Sequence, residues 1–425
     1  MEFGGPIGCA LIIVFSHIIP YYLWYCVEYC GSNVTAPSLQ MVEHLLKVAQ
    51  PTLKGTSIYL GFISFEAILA SFIPGFISYG LPLKHQGNKK LQYNCNAIQS
   101  WYITLAVALV LHFTGLFRIT ELIDNYAPIL TCAILFADFV SVATYIITIA
   151  NNRQYMMSGN LLYDFFMGAA LNPRIGSLDI KMFSEARISW IWLFLFTCSA
   201  ASKQYDVIGY VSIPMIFLIT AQGLYTNAIM KGEEAIVSTW DIFHEKYGWM
   251  LCYWNLAGVP FVYCIQAFYL AKKSEPVHHS STMMVFMFSL LFIAYYIWDT
   301  SQSQRNFFRQ KLEGTWKPRY TFPQLPGCVI ENPKYLNTKA GSKLLIDGWW
   351  GIVRKPHYSA DIVMALLWGV CCGYQHAIPY FYFCFFFVMI MHRANRDISR
   401  CSKKYGSDWD TYRQHVPYLF IPYIF

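Results

Sequence analysis

The chain has 425 residues, of which 56% are hydrophobic and only 13% are charged. A soluble domain of this size carries about a quarter charged residues, so the composition excludes an ordinary soluble enzyme. The formal net charge is +7, and apolar runs of about 20 residues recur along the whole length, as in a polytopic, all-α integral membrane protein.

About ten transmembrane helices are expected, over 7–28, 57–80, 98–117, 127–150, 188–202, 207–229, 248–271, 282–299, 360–373 and 376–392. The fifth and ninth are short enough to be tilted, re-entrant or shielded by neighbours. The first is too long for a cleaved signal peptide and lacks its basic start. No internal repeat, low-complexity tract or appended soluble module is seen. The chain reads as one transmembrane domain, with N-terminal helices over about 1–247 and C-terminal helices and tail over about 248–425.

Charge sets the orientation. With ten spans and a cytosolic N-terminus, all but six of the 31 Lys and Arg fall on the cytosolic side. The exceptions are Lys47, Lys54, Arg118, Lys203, Lys272 and Lys273. The positive-inside rule then places both termini in the cytosol. The Asn33-Val34-Thr35 sequon falls on the lumenal side, too close to the first span to be modified readily.

Ionisable groups inside the spans are costly and count as functional candidates, with a hydrogen-bonded structural role as the alternative. Glu66, His112 and Asp138 are of this kind. Among the 13 cysteines, Cys132, Cys198, Cys264, Cys371, Cys372 and Cys384 lie in apolar spans as small packing residues. With no C-x-x-C pair and no H-E-x-x-H, a metal site has no support. No G-x-G-x-x-G or P-loop is present, and no nucleic-acid recognition module accompanies the basic residues.

Positive charge concentrates after the eighth span. Residues 300–358 hold ten Lys and Arg against three Asp and Glu, a net +7 that equals the charge of the whole chain. Charge alone permits two readings, attraction to anionic membrane lipids or binding of a polyanionic cytosolic ligand. The eighth span ends "YYIWDTSQSQRNFFRQ", where Arg305 and Arg309 are four residues apart and share a helix face. They can snorkel to headgroups or form a fork for phosphate. The stretch "DGWWGIVRKPHY" follows at 347–358, crowded with stacking and hydrogen-bonding groups.

The tail, "HRANRDISRCSKKYGSDWDTYRQHVPYLFIPYIF", can continue the last span as an amphipathic helix. At helical spacing Arg393, Asp397, Cys401 and Lys404 fall on one face, with Arg396 and Arg400 beside them and Tyr405 and Tyr412 following. Cations suit phosphates, a carboxylate suits ribose or amide donors, and aromatic rings can stack on bases. A closed salt-bridge network explains the same residues equally well.

These segments resemble a known family, the sterol reductases. The shared pattern is L-L-x-x-G-W-W-G-x-x-R-x-x-x-Y, then P-Y-F-Y, H-R-x-x-R-D-x-x-x-C-x-x-K-Y-G-x-x-W-x-x-Y and V-P-Y. It reads here "LLIDGWWGIVRKPHY", "PYFY", "HRANRDISRCSKKYGSDWDTY" and "VPYLFIPYIF". Upstream, "QYNCNAIQSWY", "YDFFMGAALNPR" and "GWMLCYWNLAGVPFVYCIQAFYL" extend the resemblance over nearly the whole chain. Arg354-Lys355-Pro356-His357-Tyr358, with "GEEAIVSTWD" and "TFPQLP", is most similar to the fungal C-24(28) group. One departure is Gln302-Ser303-Gln304-Arg305-Asn306, where the family's usual pattern is N-S-Q-K-N.

The resemblance implies NADPH bound in a cytosol-facing pocket among the C-terminal helices. Position by position it implicates Arg305, Arg309, Leu345, Trp350, His357, Tyr358, Asp397, Cys401, Ser402, Lys403, Lys404, Tyr405 and Tyr412. It implies reduction of the C-24(28) methylidene bond of a sterol in ergosterol-type synthesis, by alkene protonation and hydride transfer. Tyr263 is the expected proton donor, with Asp241, His244 and Glu245 as relay residues, and Asp397 could also serve a proton relay. Sterol substrate, membrane lipids and other sterol-biosynthesis enzymes are the expected partners, at the endoplasmic reticulum membrane. The alternatives are a sister Δ14 or Δ7 reductase, an S-adenosylmethionine-dependent membrane methyltransferase, which has a similar R-H-P-x-Y element, and a non-enzymatic scaffold.

Overall fold

The computed structural model describes residues 1–83, 86–318 and 321–424. Arg319 and Tyr320 of the basic loop, and Phe425 at the end of the closing motif, lie outside them. The described residues are predominantly helical, and a helix coincides with each of the ten expected spans. They are α1 (Gly5–Tyr29), α2 (Leu53–Phe72), α3 (Ala97–Phe113), α4 (Tyr126–Ala150), α5 (Ser189–Ile208) and α6 (Ile213–Lys231). They continue with α7 (Trp249–Lys272), α8 (Ser281–Glu313), α9 (Pro356–Val370) and α10 (Phe381–Tyr405), and a short α11 (Ser407–His415) follows. Six of them, α1, α2, α4, α6, α7 and α8, are long and apolar enough to cross a membrane.

Local chemistry sets the helix ends. Thr52, Ser212 and Ser280 cap α2, α6 and α8, each hydroxyl accepting the main-chain N–H three residues on. Gly209 and Gly314 close α5 and α8 in the left-handed region. The second expected span is shorter than its apolar run. Helix α2 stops at Phe72 because Ile73 precedes Pro74, and the chain turns into strand β1 (Phe76–Tyr79), paired antiparallel with β2 (Gln92–Cys95). The fifth helix is longer than expected, since nothing breaks it before Gly209. Helix α8 runs on to Glu313, well past the apolar stretch expected to end at 299.

Two compact units make up the chain, residues 1–277 with 375–378, and residues 278–374 with 379–425. The first has an aromatic core, including Tyr59, Trp192, Phe217, Trp249, Tyr253 and Phe261. In it the backbone of Gly168 meets that of Gly248 so closely that a Cβ on Gly248 would lie 2.1 Å from the Gly168 nitrogen. Only glycine fits either side of that crossing. In the second unit α8 packs along α9, and α9 along α10. The hairpin of β3 (Tyr335–Asn337) and β4 (Lys343–Leu345) lies against α11 through Leu336, Leu344, Trp409, Tyr412 and Val416.

Candidate cofactor site

The second unit assembles the polar end of α8 with the "DGWWGIVRKPHY" segment and the start of the tail. Gly348 makes the turn with φ +56°, and a Cβ there would lie 2.5 Å from Gln304 Oε1. Trp349 N donates to that oxygen at 3.1 Å, while Gln304 Nε2 donates to the Gly327 carbonyl at 2.8 Å. Both indoles then bond back to α8. Trp349 Nε1 donates to Thr300 Oγ1 and Trp350 Nε1 to the Ser301 carbonyl, each at 2.8 Å. Gly348→Ala is therefore expected to cost about 1–3 kcal/mol through strained backbone and displacement of Gln304. A lowered Tm of the purified protein checks this, and an unchanged Tm would show that the turn relaxes.

Trp350 is a hub. It packs with Phe308 and Leu345 in a small buried cluster, the Arg305 guanidinium lies 4.6 Å above its ring, and His357 stands 5.2 Å away. Tyr358 follows at 4.2 Å from His357. The tail secures this segment by main-chain pairing. Arg354 N donates to the Tyr418 carbonyl at 2.9 Å and Lys355 N to the Leu419 carbonyl at 3.0 Å.

The electrostatics are dominated by cations. Arg305 lies within reach of the charges of Arg309, Arg393 and Asp397. Lys355 is buried and pairs with Asp397 on α10. Burial by itself would raise the Asp397 carboxyl, but Lys355, Arg400 and Arg305 outweigh it and hold it below the usual carboxylate range. Burial, reinforced by Arg305, Lys355 and Arg393, keeps the His357 imidazole well below its ordinary range, so it is neutral. Its Nδ1 is buried without a hydrogen-bond partner. Burial pushes the Cys401 thiol up to about 11, so it is no thiolate nucleophile.

The structure thus gathers Arg305, Leu345, Trp350, His357, Tyr358 and Asp397 around one place. Arg309 is exposed one turn further along α8. Tyr412 stacks on Trp409 at 5.1 Å, and Cys401 and Tyr405 pack against the same cluster. Lys404 reaches Ser342 Oγ at 3.3 Å and Tyr405 OH at 3.0 Å, tying α10 to the hairpin. Ser402 and Lys403 are exposed, and Ser402 uses its carbonyl to accept the Gly406 N–H. Sequence reasoning passed over Lys355, Gln304 and Gly348. The repeated glutamines of "SQSQRN" and the first glycine of G-W-W-G were the signals available.

The catalytic candidates lie in the first unit. Tyr263 is 4% exposed, between the indoles of Trp190 and Trp254, each with its centroid 6.4 Å away. Asp241, His244 and Glu245 share one turn, where the His244 ring lies tilted against Trp240 at 3.7 Å and Glu245 accepts the Trp240 indole N–H at 2.5 Å. That turn is held by Lys181, fully buried, whose Nζ donates to the carbonyls of Asp241, Ile242 and Glu245 at 2.6, 2.9 and 2.8 Å. No sequence pattern marked Lys181.

Comparison with known proteins gives this arrangement a family. The model of the ergosterol biosynthesis ERG4/ERG24 family matches residues 1–425. The chain belongs to that family. Relatives within it include the Delta(24(24(1)))-sterol reductase erg4A of Aspergillus fumigatus, 43% identical over all of this chain and 92% of that protein. The Delta(24(24(1)))-sterol reductase of Gibberella zeae is 40% identical over all of this chain and 73% of its own length. The Delta(14)-sterol reductase of Dictyostelium discoideum is 36% identical over 99% of this chain and 91% of its own. In this ERG4/ERG24 chain, the place gathered around Trp350 coincides with the most motif-dense part of the sequence.

Proposed function

We propose that the chain catalyses NADPH-dependent reduction of the C-24(28) methylidene bond of a sterol. That it is a multi-pass membrane sterol reductase, acting on a carbon–carbon double bond, follows from its family. The single observation carrying the finer reading is its 43% and 40% identity, over its full length, to two Delta(24(24(1)))-sterol reductases. The endoplasmic reticulum membrane, with both termini cytosolic, is the setting this reading implies, and other sterol-biosynthesis enzymes are its natural neighbours.

The cofactor assignment is supported by the donor set. A cluster of Arg305, Arg309 and Lys355 suits the phosphates, Asp397 accepts from hydroxyl or amide donors, and the unpartnered Nδ1 of neutral His357 can accept another. NADPH, when bound, supplies the hydride. An isolated alkene is a poor hydride acceptor, so the protein must first deliver a proton. Protonation of the methylene carbon forms a carbon–hydrogen bond from the π electrons and leaves a tertiary cation at carbon 24. Tyr263 is the proposed donor, packed beside the indoles of Trp190 and Trp254, electron-rich rings that suit the neighbourhood of a developing positive charge.

Sterol profiling of cells lacking the protein tests the substrate. Accumulated 24-methylidene sterols are expected, and 8,14-dienes or 7-dehydrosterols would assign a sister activity. NADPH should raise the Tm of the detergent-solubilised protein, whereas a rise with S-adenosylmethionine alone would point to methyl transfer. Arg309→Ala is expected to weaken NADPH far more than NADH, if its exposed guanidinium meets the 2′-phosphate. Equal losses in titrations with the two cofactors would exclude that contact.

A further inference from the structure

Glu66 sits in α2, fully buried in the first unit. Its Oε1 is 2.5 Å from Thr104 Oγ1, and that hydroxyl is also 2.8 Å from the Ser100 carbonyl. A hydroxyl has one hydrogen, so it cannot donate to both oxygens. Both contacts are satisfied together only if Glu66 is protonated and donates to Thr104 while Thr104 donates to Ser100. If Glu66 ionises, the same hydroxyl can turn and donate to the carboxylate. The arrangement therefore accommodates either protonation state, which a permanently neutral structural acid does not need.

The charges facing Glu66 point the same way. Arg187 and Glu233 are 2% and 3% exposed. Arg187 Nη2 donates to Glu233 Oε1 at 2.8 Å and to Asn96 Oδ1, and Nη1 donates to Ser100 Oγ at 2.9 Å. Glu233 Oε2 accepts the Ala97 N–H at 2.8 Å. Glu233 is thus the ion-pair partner of Arg187, and among the described residues the charges acting on Glu66 are this cation and its paired acid. A second buried negative charge here would lack compensation, so at rest the proton stays on Glu66. Glu66 Oε2 is buried without a hydrogen-bond partner.

We propose that Glu66 is a proton store in the membrane interior, neutral at rest, that resupplies the group protonating the sterol alkene. This rests on the reading that the alkene is reduced by protonation and hydride transfer. The Glu66 O–H bond breaks, its electron pair stays on the carboxylate, and the proton restores the hydroxyl of the depleted donor. A proton from cytosolic water reloads Glu66, and both electrons of the reduction come as hydride from NADPH.

Glu66→Gln tests the idea, because the amide keeps the shape and can still donate to Thr104. Tm and NADPH affinity should hold while turnover falls at least about tenfold, with Glu66→Asp recovering part of the loss. Infrared spectra of the wild-type protein should contain a protonated-carboxyl C=O band that Glu66→Gln lacks. Full turnover by the Gln variant, or equal loss in Asp and Gln variants, overturns the store. Absence of the band overturns the protonated state. The infrared measurement uses neither sterol nor cofactor, so it stands apart from any failure of the reductase reading. If the Gln variant does not fold, the Asp variant decides. Retained turnover supports the store, and its loss at normal Tm overturns it.

Discussion

Tyr263→Phe is expected to lower turnover by roughly 100- to 10,000-fold, the range typical of losing a general acid, while sterol and NADPH still bind nearly normally. The change removes one oxygen and keeps the ring that packs between Trp190 and Trp254. Stability should therefore change little, and the loss should fall on the chemical step. Turnover in microsomes, measured beside NADPH binding and Tm, separates this from a packing role. A merely structural tyrosine would lower Tm or affinity and leave turnover per folded molecule intact. In that case Asp241, His244 and Glu245 become the next candidates, although the Lys181 clamp and the Trp240 contacts already give their turn a structural purpose.

The second large effect is expected from Trp350→Ala. Truncating a buried tryptophan typically costs about 3–5 kcal/mol, and this one, 6% exposed, also supports the Arg305 guanidinium and bonds to the Ser301 carbonyl. The second unit should unfold at a lower temperature, and NADPH should no longer raise Tm. Trp350→Phe should recover much of the packing but not the hydrogen bond to α8. If NADPH stabilises Trp350→Ala as strongly as wild type, the cofactor does not depend on this hub.

Much of this organisation was legible in the residues. Apolar runs located the helices, because a membrane demands length and apolarity together. Their ends were less legible, since apolarity does not stop at a helix terminus. Residues 73–80 still carry Ile73, Phe76, Ile77 and Tyr79, and it is Pro74 that turns them out of the helix and into a strand. Among site residues, the legible ones belonged to contiguous motifs. Gln304 and Gly348 stand 44 positions apart, and only the folded chain brings the amide against the turn. Lys355 read as a variation within R-K-P-H-Y, whereas its meaning lies in Asp397, 42 residues away on another helix. Lys181 was invisible for a further reason, because its partners are main-chain carbonyls, which no side-chain pattern encodes.

The clasp between residues 354–355 and 418–419 bears on how such a protein can diversify. It is made of main-chain N–H and carbonyl groups, with Arg354 and Lys355 as donors and Tyr418 and Leu419 as acceptors. Bonds of that kind are indifferent to side-chain identity, so the main-chain frame does not itself require the residues of R-K-P-H-Y. Proline at 354 or 355 is the exception, because it would delete a donor. The main-chain bonds thus keep this segment in register by themselves, although the Arg354 guanidinium adds a 3.2 Å bond to the Pro417 carbonyl and Lys355 its pairing with Asp397.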